Sequence, residues 1–306
     1  MNPYFKNLKK QYNRRIDCLP FQLFLHFADL EKDDFEKVFS VLTQMLSDTN
    51  WCTSDYTKYI TNQSKQLIPN FKKDFASKNI KPFYSEYQKT VGLINQFLTP
   101  TESEHFIKDN TVLANSFADY FKQAKEKSEN RELEEKTDSI LKDLNSFYRE
   151  FPSKAKSLID LLAELPFQLF LLVAHADKNI DNAERIEFLR IIRDLEWCNS
   201  DCTRMFFTST SYFFNEFLLL YNRGKFKKDV KQVKRTIHFI EKIFVKEESD
   251  TIKSDLYRLA NEVAKASGGI AGFLAVSKYE KKVIDELSEI FGDLSNAVVP
   301  ENEETS

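Results

Sequence analysis

The heptapeptide LPFQLFL occurs twice in this 306-residue chain, at Leu19–Leu25 and again at Leu165–Leu171. The second occurrence is identical to the first and lies 146 residues after it. The motif WCxSDxT begins at Trp51 and returns at the same offset at Trp197. Because chance matches do not keep one register over such a distance, the sequence predicts two homologous domains.

The repeat also sets the predicted domain boundaries. The tripeptide LAN keeps the offset, at Leu113 and at Leu259. We therefore assign residues 1–148 to a divergent first copy and residues 149–298 to a better preserved second copy. The acidic tail at 299–306 is expected to be disordered, because it has too few apolar residues to fold.

Within each copy the apolar residues recur three or four positions apart, which is typical of amphipathic helices. Only 6 glycines are present, and we find no comparable alternation of apolar and polar residues that would indicate a strand. The sequence thus predicts an all-α fold of two tandem multi-helix bundles, each of roughly seven helices. An exposed amphipathic helix near residues 122–165 is expected to join them.

Local signals predict where several helices begin. Ser200 and the stretch Thr101-x-x-Glu104 are typical of N-terminal caps. Prolines such as Pro69 and Pro166 are expected in first helical turns or just outside helices, where a missing N–H costs least.

Composition excludes several classes of protein. Apolar residues make up 42% and charged residues 30%, which excludes a disordered or collagen-like chain. The net charge of −3 gives no support for a nucleic-acid partner. The chain begins without a signal peptide and has 4 cysteines, so reduced thiols and a cytoplasmic location are expected. The apolar stretch Leu165–Ala176 is too short to cross a membrane and predicts a buried helix.

An acidic turn follows the buried helix of the second copy. Its oxygen-bearing side chains belong to Asp177, Asn179, Asp181 and Glu184. The first copy has the same classes at Asp29, Glu31, Asp33 and Glu36. Alternate oxygen ligands of this kind suit a divalent cation such as Ca²⁺ or Mg²⁺, although a full EF-hand is excluded, because its glycine and its last glutamate are missing. The alternative is that these side chains only cap the following helix.

A family resemblance rests on this turn and on a later loop. The pattern Ala-Asp-x-x-Ile-Asp-x-x-Glu at Ala176–Glu184 is followed by a glycine-rich stretch at Ala266–Phe273 and by Val-Ser-x-x-Glu at Val276–Glu280. Together they resemble the TerB-like domain of tellurite-resistance proteins. The resemblance implies compact helical bundles and a metal-binding or charge-cluster site formed by Asp177, Asp181, Glu184 and Glu280. Two positions depart from the family, because Ser267 and Lys178 replace its usual Asp and Gly.

Three further clusters have a structural and a functional interpretation. The basic residues between 225 and 235 form either a solvated helix face or a surface for an acidic partner. The aromatic run between Phe206 and Tyr221 packs in a core or marks an interface. Cys198 and Cys202 lie one helical turn apart, but without further nearby ligands for zinc they predict buried thiols.

The expected function is a non-enzymatic cytoplasmic module of the stress or tellurite-resistance type, which the resemblance implies. A divalent cation, Ca²⁺ or Mg²⁺, would link the acidic residues and shape a surface for a protein partner. The ligands would be Asp177, Asn179, Asp181, Glu184 and Glu280. The alternative is a metal-free scaffold for a protein or a membrane surface, and a third hypothesis is a metal-dependent hydrolase built on His175, Asp177 and Asp181. No nucleic-acid partner is expected.

Overall fold

The computed structural model describes residues 3–28, 35–76, 83–124, 130–150, 158–174, 182–226, 228–267 and 278–292. In those ranges the regular structure is helical, and the only β-type pairing is one isolated bridge between Leu8 and Phe244. The all-α prediction is therefore confirmed. Contacts divide the chain into two compact units, which we call unit 1 and unit 2.

Unit 1 contains Lys10–Ser157. Its helices are α2 (Lys10–Asp17), α3 (Leu19–Phe27), α4 (Phe35–Ser47), α5 (Asp55–Ala76), α6 (Phe83–Asn95), α7 (Pro100–Ala124) and α8 (Asn130–Glu150). The heptapeptide forms most of α3, and its apolar side chains other than Leu25 are buried because α3 packs against α5, α6 and α7.

Unit 2 contains Leu158–Ser306 together with Asn2–Lys9. Its helices are α1 (Pro3–Lys6), α9 (Leu158–Ala174), α10 (Asn182–Arg193), α11 (Asp201–Asn222), α12 (Val230–Ile243), α13 (Lys246–Ser267) and α14 (Lys278–Phe291). The start of the chain thus belongs to the second unit, whereas the sequence-based boundary at residue 148 places it with the first copy.

The helix boundaries repeat with the sequence. Both α5 and α11 have 22 residues, and α11 starts 146 positions after α5. The cores repeat as well. Phe21 stacks on Phe71 with ring centroids 4.2 Å apart, and the equivalent rings of Phe167 and Phe217 lie 5.6 Å apart. These helix bounds and ring contacts thus recur in both units at the repeat offset.

The buried helix α9 confirms one prediction and corrects another. Every described residue from Leu162 to Ala174 is buried, as the apolar run predicts. Pro166, however, lies inside α9, and Pro69 lies inside α5, so neither proline marks a helix start. The surrounding packing compensates for the backbone hydrogen bond that each proline removes. None of the described helices is long and apolar enough to span a membrane.

The segment near 122–165 also differs from the prediction of one exposed joining helix. Its described part consists of the end of α7, the separate helix α8 and the start of α9. Leu133, Ile140 and Leu144 of α8 are buried, because α8 packs along α7. Although most residues of α8 are polar or charged, its narrow apolar stripe is sufficient to pack the helix against α7.

Candidate functional site

The acidic turn of the second copy is only partly within the described residues. The predicted ligands Asp177, Asn179 and Asp181 lie outside them, as do His175 and the three clustered glycines. Glu184 and Glu280 are described, in the first turns of α10 and α14. The prediction of a five-ligand site therefore remains a prediction.

Glu184 and Glu280 share an unusual environment. Their exposed fractions are 2% and 5%, although glutamate is rarely buried this deeply. Both α10 and α14 pack against α13, so the fold brings these two helices to the same neighbour. A buried carboxylate needs hydrogen bonds or a cation, because burial without compensation costs several kcal/mol.

The first copy does not reproduce this arrangement. Of its acidic residues, Asp29, Glu31 and Asp33 lie outside the described residues. Glu36 is exposed and pairs with Lys72 at 2.6 Å, which is an ordinary surface salt bridge. Within the described ranges, no group of three or more His, Cys, Asp or Glu side chains is arranged to hold a metal ion.

A different pair of buried acids organises the repeated WCxSDxT motif. In unit 1, Asp109 of α7 accepts bonds from the backbone N–H of Thr53 at 2.8 Å, from its hydroxyl at 2.7 Å and from the N–H of Ser54 at 2.9 Å. In unit 2, Asp255 of α13 accepts from Asn199 N–H at 3.2 Å and Ser200 N–H at 3.1 Å. Each aspartate thus holds the turn that precedes α5 or α11.

These aspartates were missed by the sequence analysis. They lie 146 residues apart, so the repeat offset itself was the signal that could have found them. Burial raises the pKa of Asp255, while the bonds from Asn199 and Ser200 pull it back down. Both acids accept hydrogen bonds from turns inside their own units, so we assign them a structural role.

Cys198 and Cys202 are buried thiols, as predicted. Cys52, Cys198 and Cys202 are buried, and all four cysteines of the chain are free of disulfide bonds. Burial raises the pKa of Cys52 to about 11 and that of Cys198 to about 12. Thiols that stay protonated at neutral pH are poor nucleophiles, so these two do not point to covalent catalysis.

Of the basic residues predicted between 225 and 235, Lys231, Lys234 and Arg235 lie on one face of α12. Lys225 and Lys228 precede that helix, and Lys227 lies outside the described residues. The exposed members of this basic face are Lys231, Lys234, Arg235, His238 and Lys242. At 3.6 residues per turn they form a stripe about 16 Å long, opposite the buried face that includes Val233 and Ile240. Among the described residues, no carboxylate forms a salt bridge with Lys231, Lys234 or Lys242.

The acid within α12 has a partner outside the basic face. Glu241 pairs with Lys253 of α13 at 3.0 Å, and the same ammonium group also pairs with Asp250 at 3.1 Å. A cavity of about 320 Å³ between α12 and α14 is lined by Lys234, His238 and Glu289, among others. The basic face thus borders a recess that mixes both signs of charge.

The equivalent helix of the first copy shows that this charge belongs to unit 2. The buried residues of α6 are of the same type as their equivalents in α12. Thr90 is equivalent to Thr236, and Ile94 is equivalent to Ile240. The five positions of the basic face are Ser85, Gln88, Lys89, Gly92 and Gln96 in the first copy. The two copies thus agree on the buried side of this helix and differ in charge on its outer side.

The aromatic run of α11 is divided between core and surface. Phe206, Phe207 and Phe214 are buried, which confirms the core interpretation for them. Tyr212 is 82% exposed and Phe213 is 41% exposed, so two large rings of the run face solvent. Surface rings of this kind are common at protein interfaces.

No family model matches the chain, and searches of characterised proteins and of solved structures find no match either. The resemblance to TerB-like domains therefore stays a prediction, and the function has to be argued from the geometry of the two units.

Proposed function

We propose that this protein is a non-enzymatic interaction module whose second unit binds an acidic segment of a protein partner through the basic face of α12. The observation that carries the proposal is a row of four exposed cationic side chains on α12, those of Lys231, Lys234, Arg235 and Lys242. Like charges in a row repel one another, and an acidic partner would relieve that repulsion.

Two features support a protein partner over a nucleic acid. The whole chain carries a net charge of −3, so a long polyanion would be repelled by much of the surface. The exposed rings of Tyr212 and Phe213 add apolar contact area in the same unit, as protein interfaces usually do. A membrane surface is the alternative, and the experiment below distinguishes it.

The test is binding of a labelled polyglutamate peptide, measured by fluorescence anisotropy. The wild-type chain should bind it, and affinity should fall as salt rises, because exposed charges are screened. The variant Lys231→Glu/Lys234→Glu/Lys242→Glu should lose roughly tenfold or more in affinity, since each surface charge contributes up to about 1 kcal/mol.

A matched control separates the basic face from net charge. Lys58→Glu/Lys108→Glu/Lys142→Glu makes the same charge change at exposed lysines of unit 1 and should leave binding nearly unchanged. An equal loss of affinity in both variants would contradict the proposal. Binding to phosphatidylserine vesicles but not to the peptide would replace the protein partner by a membrane.

A divalent cation is the second candidate, favoured by the burial of Glu184 and Glu280. These two carboxylates fit the oxygen chemistry that Ca²⁺ or Mg²⁺ requires, and Asp177, Asn179 and Asp181 would supply the other oxygens. A bound cation would link the starts of α10 and α14 and so fix the surface of unit 2. The assignment to stress or tellurite resistance rests on the family resemblance alone.

Thermal unfolding of chelator-treated protein tests the cation. A ligand at 100 times its dissociation constant should stabilise unit 2 by about 2.7 kcal/mol, and Glu184→Gln/Glu280→Gln should abolish the effect. Each unit has its own tryptophan, Trp51 or Trp197, so fluorescence can report unit 2 while unit 1 serves as the reference. Identical midpoints with and without Ca²⁺, Mg²⁺ or Mn²⁺ would rule this candidate out.

A further inference from the structure

The start of the chain is held by unit 2 through backbone hydrogen bonds. In this N-terminal segment (Pro3–Lys9), Lys9 N–H donates to the carbonyl of Ile243 and Val245 N–H donates to the carbonyl of Asn7, both at 2.9 Å. These two bonds frame the antiparallel bridge between Leu8 and Phe244. The pairing is that of a short added strand, a recurring mode of peptide recognition.

Side chains add specificity to this pairing. Tyr4, Phe5 and Leu8 are each only 2% exposed, and the ring of Tyr4 lies 6.2 Å from that of Phe244. Asn7 Nδ2 donates to the thiol sulfur of Cys202 at 3.7 Å. We call the receiving residues, Cys202 and 241–245, the acceptor surface.

Polar contacts fix the end of the segment. The ammonium group of Lys9 donates to the carbonyl of Glu241 at 2.7 Å. The chemistry recognised by the acceptor surface is therefore Tyr-Phe-x-Asn-Leu-Lys, with buried aromatic and aliphatic anchors and a terminal cation. All of these contacts are non-covalent. The segment itself continues directly into Lys10 of unit 1.

We propose that the acceptor surface is a recognition site that takes the N-terminal segment of a second copy of the chain as well as its own. The occupant is defined by the structure, since a second copy carries the same anchors. Within one chain the tether gives a high effective concentration, so the chain's own segment occupies the site unless it is weakened or displaced. The proposal does not depend on the basic face of α12 and goes beyond the function proposed above.

Two full-length variants test it. The acceptor variant, Tyr4→Ser/Leu8→Ser, keeps the acceptor surface but loses the anchors of its own segment. The donor variant, Val245→Pro, keeps the segment but loses the N–H that bonds Asn7, and Phe244 has the extended backbone that a following proline favours. Sedimentation velocity should show each variant alone as a monomer and their mixture as a 1:1 heterodimer.

The controls make either result decisive. Adding Val245→Pro to the acceptor variant should abolish the heterodimer, and circular dichroism with Trp197 fluorescence confirms that unit 2 is folded. A mixture that stays monomeric overturns the proposal. Should a variant fail to fold, a fluorophore-labelled synthetic peptide of residues 2–10 is titrated with wild-type protein, and its anisotropy reports exchange with the chain's own segment. An anisotropy that does not rise at millimolar protein also overturns the proposal, whereas a rise that is absent with the Tyr4→Ser/Leu8→Ser peptide supports it.

Discussion

At the scale of single residues, Asp109 and Asp255 explain why the WCxSDxT motif survives in both copies. Each acid is at most 1% exposed and holds consecutive backbone N–H groups just before a long helix. The serine that follows is also a cap, since Ser200 Oγ accepts from Thr203 N–H at 3.0 Å and Ser54 Oγ accepts from Thr57 N–H at 3.0 Å. The turn is thus fixed both by a distant acid and by its own serine.

We expect Asp255→Ala to lower the free energy of unfolding of unit 2 by about 2 kcal/mol, because it leaves the buried N–H of Ser200 and the part-buried N–H of Asn199 without their acceptor. Asp255→Asn should cost less, since its remaining carbonyl still accepts. Urea denaturation followed by Trp197 fluorescence measures both. Asp109→Ala is the matched change in unit 1. It should lower the free energy of unfolding only in the transition that Trp51 fluorescence reports.

Two half-buried titratable groups of unit 1 should give it opposite pH dependences. Burial lowers the pKa of His26 to about 4, an effect strengthened by Lys136 and opposed by Asp143. The unfolded histidine titrates near 6.5, so stability is complete above that pH and is lost as pH falls towards about 4, by up to about 1.4 kcal/mol per pH unit. His26→Gln should flatten this fall in urea denaturation followed by Trp51.

Asp17 should act in the other direction. Burial raises its pKa to about 6, so the native state keeps a proton that the unfolded chain loses near pH 4. Its contribution is complete at low pH and is lost as pH rises through about 6. Asp17→Asn should therefore make unit 1 more sensitive to acid than the wild type. Equal slopes in wild type, His26→Gln and Asp17→Asn would contradict both assignments.

At the scale of helices, the start of α7 shows how far local sequence signals reach. The predicted cap was Thr101-x-x-Glu104, but the structure uses Thr99 and Glu102. Thr99 N–H donates to the Glu102 carboxylate at 2.8 Å, and Glu102 N–H donates to the Thr99 hydroxyl at 3.3 Å. The correct capping box places Pro100 at the first helical position, where proline is favoured.

Thr99→Ala should destabilise unit 1 by about 1 kcal/mol, because it removes the side-chain half of this box. Thr101→Ala is the control, since its side chain is exposed within the first turn and caps nothing. Thermal unfolding followed by Trp51 distinguishes them. A larger loss for Thr101→Ala would mean that the helix begins two residues later than described.

Helix content and the duplication were predictable, because apolar periodicity and a shared offset are properties of the sequence itself. The Ser200 cap is one example that the structure confirms. The positions at which helices are interrupted were less predictable. The first copy divides the equivalent of α9 into α2 and α3 at Cys18, although Pro20 and Pro166 occupy the same repeat position. Because the local sequence signals are the same in the two copies, tertiary packing determines whether the helix is continuous or divided.

At the scale of the whole molecule, the N-terminal segment was invisible to sequence analysis. Its anchors are the side chains of three residues, Tyr4, Phe5 and Leu8. Their partner Phe244 lies more than 230 positions further along the chain, and the hydrogen-bonded pair Lys9 and Glu241 is separated by 232 positions. No periodicity encodes a pairing of that kind. The candidate site was predictable in part, because the sequence already placed Lys231, Lys234 and Arg235 on a helix face, whereas the extension of that face to Lys242 became visible only in the structure.

Tyr4→Ser/Leu8→Ser should destabilise unit 2 by roughly 3 kcal/mol and leave unit 1 unchanged, since the buried area lost belongs to unit 2 alone. The two tryptophans separate the transitions when each is studied in the background of the other's replacement by Phe. Lys6→Ser is a matched control, because Lys6 is exposed in the same segment. A shift of the Trp51 transition would contradict the assignment of the segment to unit 2.

The position of this segment also matters during synthesis. Residues 3–9 leave the ribosome before Phe244, which follows them about 235 residues later, and this takes roughly 12 to 50 s at typical translation rates. Unit 1 can complete its fold in that interval, while Tyr4, Phe5 and Leu8 have no native surface to cover them. On a polysome, neighbouring nascent chains would then carry the same uncovered segment, so the order of synthesis makes this stretch a natural binding site for a chaperone until unit 2 emerges.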